Sequence, residues 1–194
     1  MQQQNDSTTL QIALQIAISA HATQVRKGTT IPYISHPMAV AALVLEHHGD
    51  TEQAAAALLH DAIEDGGADY AKIIKEKLGQ RIHQIVQGCT DGVPNDQGTK
   101  PPWETRKKAY LEHLGTASDD VLLVSCCDKL HNARAIVADQ RKTGDAIFDR
   151  FSASKPQTLW YYRSLADLFT KRKTAPSDSL QETVADMHRL AGVP

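Results

Sequence analysis

AAAALLHDAIED, residues 54–65, decides the fold. Alanine and leucine are the strongest helix formers, and the run stops at Gly66-Gly67, so the stretch predicts one continuous helix ending at that glycine pair. Outward toward the N-terminus, Asp50 is placed to cap this helix, with Gln53 three residues on as its reciprocal partner. His36-Pro37 reads as the start of a helix running through MAVAALVLEHH, and Gly49 as the glycine cap at its end. A loop, VRKGTTIPYIS, broken by Gly28 and Pro32, precedes that start. Before it, Leu10, Ala13, Leu14, Ala17 and Ala20 make the apolar stripe of a first amphipathic helix. Outward toward the C-terminus come two short helices, YAKIIKEKLG and RIHQIVQGC, then a Gly/Pro/Asp-rich loop from Thr90 to Pro102. A helix is expected from near Trp103 to about Gly115, and a long apolar-periodic one from Ser118 through DDVLLVSCCDKLHNARAIVADQ, read as central and buried. Helices at 159–169 and 180–192 close the chain. Neither an internal repeat nor a useful period-2 strand is found, so the expected fold class is all-α. One domain is expected over residues 1–174, with 175–194 as a C-terminal accessory helix.

A chain of 194 residues buries enough surface to need no disulfide staples. Hydrophobic residues at 41% and charged residues at 23% exclude a wholly disordered chain. Lys plus Arg number 21 against 23 Asp plus Glu, a net charge of −2 that argues against a nucleic-acid or anionic-membrane binder. The longest apolar run, Met38 to Leu45, is eight residues, far short of the ~20 a membrane span needs. The polar start MQQQNDSTT is unlike a signal peptide, and three cysteines make no disulfide framework. These features predict a cytoplasmic protein.

Chemistry concentrates at four polar residues. His60 and Asp61 are adjacent within the alanine-rich helix, His36 opens the helix before it, and Asp128 follows the apolar run VLLVSCC. A buried ionised carboxylate is costly unless paired or bound to a cation. Two imidazoles and two carboxylates form a mixed N/O set that suits a divalent cation with positions left open for water or substrate. On a continuous helix Glu64 stacks over His60 and Asp65 over Asp61. There the two acids overhang the open side of such a cation, ready to move a proton. The competing reading makes them ordinary exposed acids before the glycine stop.

Three blocks, HATQVRKGTTIPYISHPMAVA, AALLHDAIEDG and CDKLHNAR, resemble in order and spacing the HD-domain hydrolases of the RelA/SpoT kind, above all the small stand-alone alarmone hydrolases. The similarity covers roughly residues 10–170 and implies an HD-domain helical bundle. It implies a Mn²⁺ site made by His36, His60, Asp61 and Asp128 (another divalent cation being possible), with Glu64 and Asp65 serving the attacking water. It further implies removal of the 3′-pyrophosphate from guanosine tetra- or pentaphosphate, or from adenosine counterparts. Such a substrate carries two diphosphates and calls for cations beside the metal. Arg26 and Lys27 flank the base or phosphates by this resemblance, Asn132 contacts the nucleoside or orders the site, and Arg134 joins them beyond Asp128. No nucleic-acid or membrane partner is implied.

The sequence departs from the family at Lys129, where Arg often follows the metal Asp, and at Ala135, where Thr follows the second Arg. Lys100, Arg106 and Lys107 are candidates for the distal phosphates. Tyr161 and Tyr162 fit either stacking near the base or core packing. Alternative functions are hydrolysis of another nucleotide or a catalytically silent metal- or nucleotide-sensing module.

Overall fold

The computed structural model of the chain describes residues 2–91 and 101–193. Every regular element among the described residues is helical; the nearest thing to a strand is an isolated antiparallel bridge between Val25 and Pro32. No described helix is long and apolar enough to cross a membrane. The chain forms two compact units, residues 1–101 and 102–194.

The first unit holds α1 (Gln2–Ala20), α2 (Ser35–Glu46), α3 (Thr51–Leu59), α4 (Ala62–Gly66), α5 (Asp69–Leu78) and α6 (Gln80–Cys89). At its centre α3 packs against α1, α2 and α6. Each residue from Ala54 to Leu59 is buried, so α3 is apolar all round beyond its polar first turn, and its four alanines let the neighbouring helices approach closely. The capping box expected at its start is present. Gln53 N donates to Asp50 Oδ1 at 2.9 Å, and Asp50 N donates to Gln53 Oε1 at 2.7 Å.

Two local expectations are corrected. First, the left-handed residue that ends α2 is His48 (φ 63°), not Gly49. Gly49 N bonds Val44 O at 2.8 Å and His48 N bonds Leu45 O at 3.1 Å, a Schellman closure with histidine in the position glycine usually takes. Second, the helix expected to run unbroken over 54–65 is interrupted at His60 and Asp61. α3 ends at Leu59, and Asp61, at φ −99° and ψ −4°, lies in the bridge region and caps the short α4. The cause is local. His60 Nδ1 lies 2.8 Å from Ala57 O, the carbonyl that the Asp61 N–H would take in a continuous helix.

The second unit holds α7 (Trp103–Thr116), α8 (Asp119–Thr143), a 3₁₀ turn (Gly144–Arg150), α9 (Lys155–Lys171) and α10 (Ser177–Leu190). α8 is the buried helix foreseen, unexposed from Val121 to Asp128 and covered within its unit by α9, α10 and the 3₁₀ turn. Ser118 caps it. α9 begins earlier than its apolar pattern suggests, because Ser154 and Gln157 form a second capping box. α10 buries Leu180, Val184 and Met187 against α8 and α9.

Candidate metal centre

In the first unit, α2 brings His36 and the α3–α4 break brings His60 and Asp61 to one point. Both imidazoles are buried, at 0% and 2% exposure. Their ring centroids lie 5.0 Å apart at 76°. Both Nε2 atoms face the same carboxylate oxygen: Asp61 Oδ2 is 2.9 Å from His60 Nε2 and 3.7 Å from His36 Nε2. A carbonyl can only accept, so His60 Nδ1 donates to Ala57 O, which leaves the lone pair of the neutral ring on Nε2. Imidazole and carboxylate thus turn lone pairs toward one another, an arrangement that is stable only with a proton or a cation among them. These groups fit a divalent cation, being two nitrogens and a hard oxygen of the kind Mn²⁺ and its neighbours accept.

Tyr33, to which no local sequence pattern points, completes this cluster. Its hydroxyl donates to Asp61 Oδ2 at 2.5 Å, and its ring meets the rings of His36 (5.7 Å) and His21 (4.9 Å). The PYISH spelling was its only trace in the sequence. No helical period relates Tyr33 to Asp61, 28 positions away.

The preceding loop folds back on itself, with Arg26 N bonded to Ile31 O at 2.8 Å and Tyr33 N to Gln24 O at 2.9 Å. Gly28 at φ 72° makes the reversal, a conformation that L side chains rarely adopt. Arg26 is half-buried with its guanidinium carbon 5.8 Å from the Tyr33 ring centroid, and Lys27 is exposed at the turn.

Glu64 and Asp65 lie in the first turn of α4, Glu64 half-buried and Asp65 exposed. Asp65 does sit one turn past Asp61, with its N–H on Asp61 O at 2.9 Å. The break removes the continuous helix on which the stacking of Glu64 over His60 was argued. It also places both acids on a five-residue helix, α4, rather than at the end of a long one.

In the second unit, Asp128 on α8 is 5% exposed and held through both oxygens. Lys129 Nζ lies 2.6 Å from Oδ2, and Asn132 Nδ2 donates to Oδ1 at 2.6 Å. Asn132 thereby holds the carboxylate one turn behind it. Burial pulls the Lys129 ammonium toward deprotonation, but the Asp128 carboxylate and the nearby Tyr161 and Tyr110 hold it charged, well above the ordinary lysine value. Its Nζ also lies 5.4 Å from the Tyr110 ring centroid, and the Tyr110 hydroxyl is 2.9 Å from Ser125 Oγ.

Arg134 does not join this cluster. Six residues past Asp128 the helix has turned about 120° away. Arg134 is exposed there, in a depression it shares with Val137, Arg141, Glu182, Thr183 and Asp186. Tyr161 and Tyr162 are buried, Tyr161 against Trp103 at 5.8 Å, so both serve as packing residues. Lys107 Nζ is 4.9 Å from the Tyr161 ring centroid, and Lys100 lies outside the described residues. Cys126 and Cys127 are buried and Cys89 is half-buried, and none of the three forms a disulfide.

The family model described as HD domain matches residues 13–155. A guanosine-3′,5′-bis(diphosphate) 3′-pyrophosphohydrolase, MESH1, of Xenopus tropicalis is 37% identical over 134 residues, covering 67% of this chain and 70% of its own. A guanosine-3′,5′-bis(diphosphate) 3′-pyrophosphohydrolase of Aquifex aeolicus is 36% identical over 182 residues, covering 93% of this chain but 21% of that longer protein. A solved metazoan ortholog of SpoT that hydrolyses ppGpp superimposes with a TM-score of 0.73 over 96% of this chain and 97% of its own, at 22% identity, and so shares the fold. The chain belongs to the HD-domain family.

Proposed function

We propose that this chain is a divalent-cation-dependent hydrolase, served best by Mn²⁺, that removes the 3′-pyrophosphate from guanosine 3′,5′-bis(diphosphate) or a related purine alarmone. Water adds at the phosphorus nearest the ribose, the bond to the 3′ oxygen breaks, and that oxygen leaves with a proton. The products are pyrophosphate and a nucleoside 5′-di- or triphosphate. The observation that carries this reading is the convergence of both imidazole Nε2 atoms on Asp61 Oδ2, at 2.9 and 3.7 Å. His36, His60 and Asp61 hold the cation, and Asp128 is the fourth ligand by the family resemblance. The cation, when bound, supplies a Lewis acid that neutralises phosphate charge.

The chain's own residues do the rest. Glu64 and Asp65, just past the α3–α4 break, take the proton from the water and return one to the departing oxygen. Arg26 and Lys27 bind the nucleotide from a loop whose reversal at Gly28 presents both side chains. Asn132 and Lys129 keep Asp128 ionised and aimed. Arg134, on another face of α8, is outside this set. Residues 1–174 supply the reacting groups, and α10, in 175–194, is accessory to the chemistry while it completes the packing of its unit on α8 and α9. Three cysteines with no disulfide among them support a reducing, cytoplasmic setting.

The test is pyrophosphate release with Mn²⁺ from guanosine and adenosine 3′-pyrophosphates, set against plain nucleoside 5′-phosphates. Release from the 3′-pyrophosphorylated compounds alone is expected. Equal hydrolysis of the 5′-only compounds would point to a hydrolase of other nucleotides. Mn²⁺ and nucleotide binding with no turnover would leave a sensing module.

A further inference from the structure

Five features of the first unit meet at Tyr33. Its hydroxyl donates to Asp61 Oδ2, the same oxygen that both imidazoles face. One edge of its ring lies against His36. The ring also packs on His21, which is buried and tied through Nδ1 to Gln24 Oε1 at 2.5 Å. The Arg26 guanidinium lies over the ring at 5.8 Å. The Tyr33 amide bonds Gln24 O, so backbone and ring are both anchored to the loop that carries Arg26 and Lys27.

A carboxylate on a half-exposed chain turn has its rotamer free unless a neighbour holds it. Asp61 is the one member of the imidazole–carboxylate cluster with substantial exposure, 22% of its side chain against 1% and 2% for the two histidines. A phenol donor on Oδ2 fixes that rotamer and draws negative charge from the oxygen, the ordinary work of a hydrogen-bond partner behind a metal ligand. The ring's other neighbour is a guanidinium, and a cation within about 6 Å of an aromatic face is held there by the ring's quadrupole.

We propose that Tyr33 is a positioning residue that couples the two halves of the reaction, its hydroxyl aiming Asp61 at the cation and its ring seating Arg26 for the nucleotide. This rests on the cation-dependent reading of the site above. Tyr33→Phe removes the first function and keeps the second; Tyr33→Leu removes both.

The experiment measures Mn²⁺ binding to nucleotide-free protein by the electron paramagnetic resonance of free Mn²⁺. KM for a 3′-pyrophosphorylated nucleotide at saturating Mn²⁺ and the far-ultraviolet circular dichroism in chelator complete it. Tyr33→Phe is expected to weaken Mn²⁺ binding about 10- to 100-fold. Its KM and helical signal should stay at wild-type values. Tyr33→Leu is expected to lose Mn²⁺ affinity similarly and to raise KM as well. Wild-type Mn²⁺ affinity in Tyr33→Phe overturns the coupling, as does loss of its helical signal, which would make Tyr33 a folding residue. An unchanged KM in Tyr33→Leu overturns the seating of Arg26. If the wild-type protein itself fails to bind Mn²⁺, the cation-dependent reading falls, and this inference with it.

Discussion

Asp128 and its two partners set the energetics at the scale of single residues. Lys129 on one oxygen and Asn132 on the other pair the buried carboxylate on both sides. Lys129→Met strands a buried charge and is expected to cost about 3–5 kcal/mol. Asn132→Ala leaves one acceptor short and is expected to cost about 1–3 kcal/mol. Urea denaturation in chelator checks that order. The Lys129 contribution should also be constant through neutral pH. Its folded pKa is raised, so the stabilisation is fully present below the ordinary value of 10.5 and is lost only as pH climbs through the higher folded value. The two acids proposed to move the proton make a separate prediction. Glu64→Gln and Asp65→Asn keep shape while removing the basic carboxylate, so turnover should fall roughly 10²–10⁴-fold with bound Mn²⁺ retained. Metal analysis of the purified variants decides it, since loss of metal would make the acid a ligand. Arg26→Ala and Lys27→Ala should raise KM about 10- to 100-fold, the range that charge-assisted hydrogen bonds support, while Arg134→Ala leaves it unchanged.

The ends of α2 and α3 carry testable consequences at the scale of elements. Asp50 caps α3 and is paired with Arg81 at 2.8 Å. Partial burial raises its carboxyl pKa, but the Arg81 and Gln53 hydrogen bonds outweigh that and hold it below its ordinary value of 3.8. Asp50→Ala should therefore cost about 1 kcal/mol near neutral pH. For a depressed carboxylate the stabilisation is present above 3.8 and is lost as pH falls through the folded value, so variant and wild type should converge in acid. At the end of α2, His48 holds a left-handed conformation that costs a non-glycine residue about 1–2 kcal/mol. His48→Gly is expected to recover up to about 1 kcal/mol, a rise of roughly 2–4 °C in Tm for a protein of this size.

At the scale of the whole molecule, α10 is integral to its unit. Leu180, Val184 and Met187 are buried on α8 and α9, so deleting residues 175–194 bares an apolar helix face. The shortened chain is expected to unfold or aggregate, which the thermal melt and sedimentation of the truncated protein would show; an unchanged melt would make α10 dispensable. Cation loading should raise Tm in proportion to the logarithm of its concentration above Kd, and chelation should abolish turnover until Mn²⁺ is restored. Helix content and order were legible in the sequence because apolar spacing and caps act over three to seven residues. Asp50 with Gln53, Ser118, and the apolar run before Asp128 all did what their local chemistry dictates. A His–His-Asp–Asp set could be proposed from the sequence as a type of chemistry, because burying such groups in apolar helices needs a cation or a partner. Only the tertiary structure decided that the helix breaks at His60, since the imidazole competes with a backbone N–H for Ala57 O. It alone decided that Tyr33 holds Asp61. A contact between residues 28 positions apart depends on how helices pack, and no local pattern in the chain encodes it.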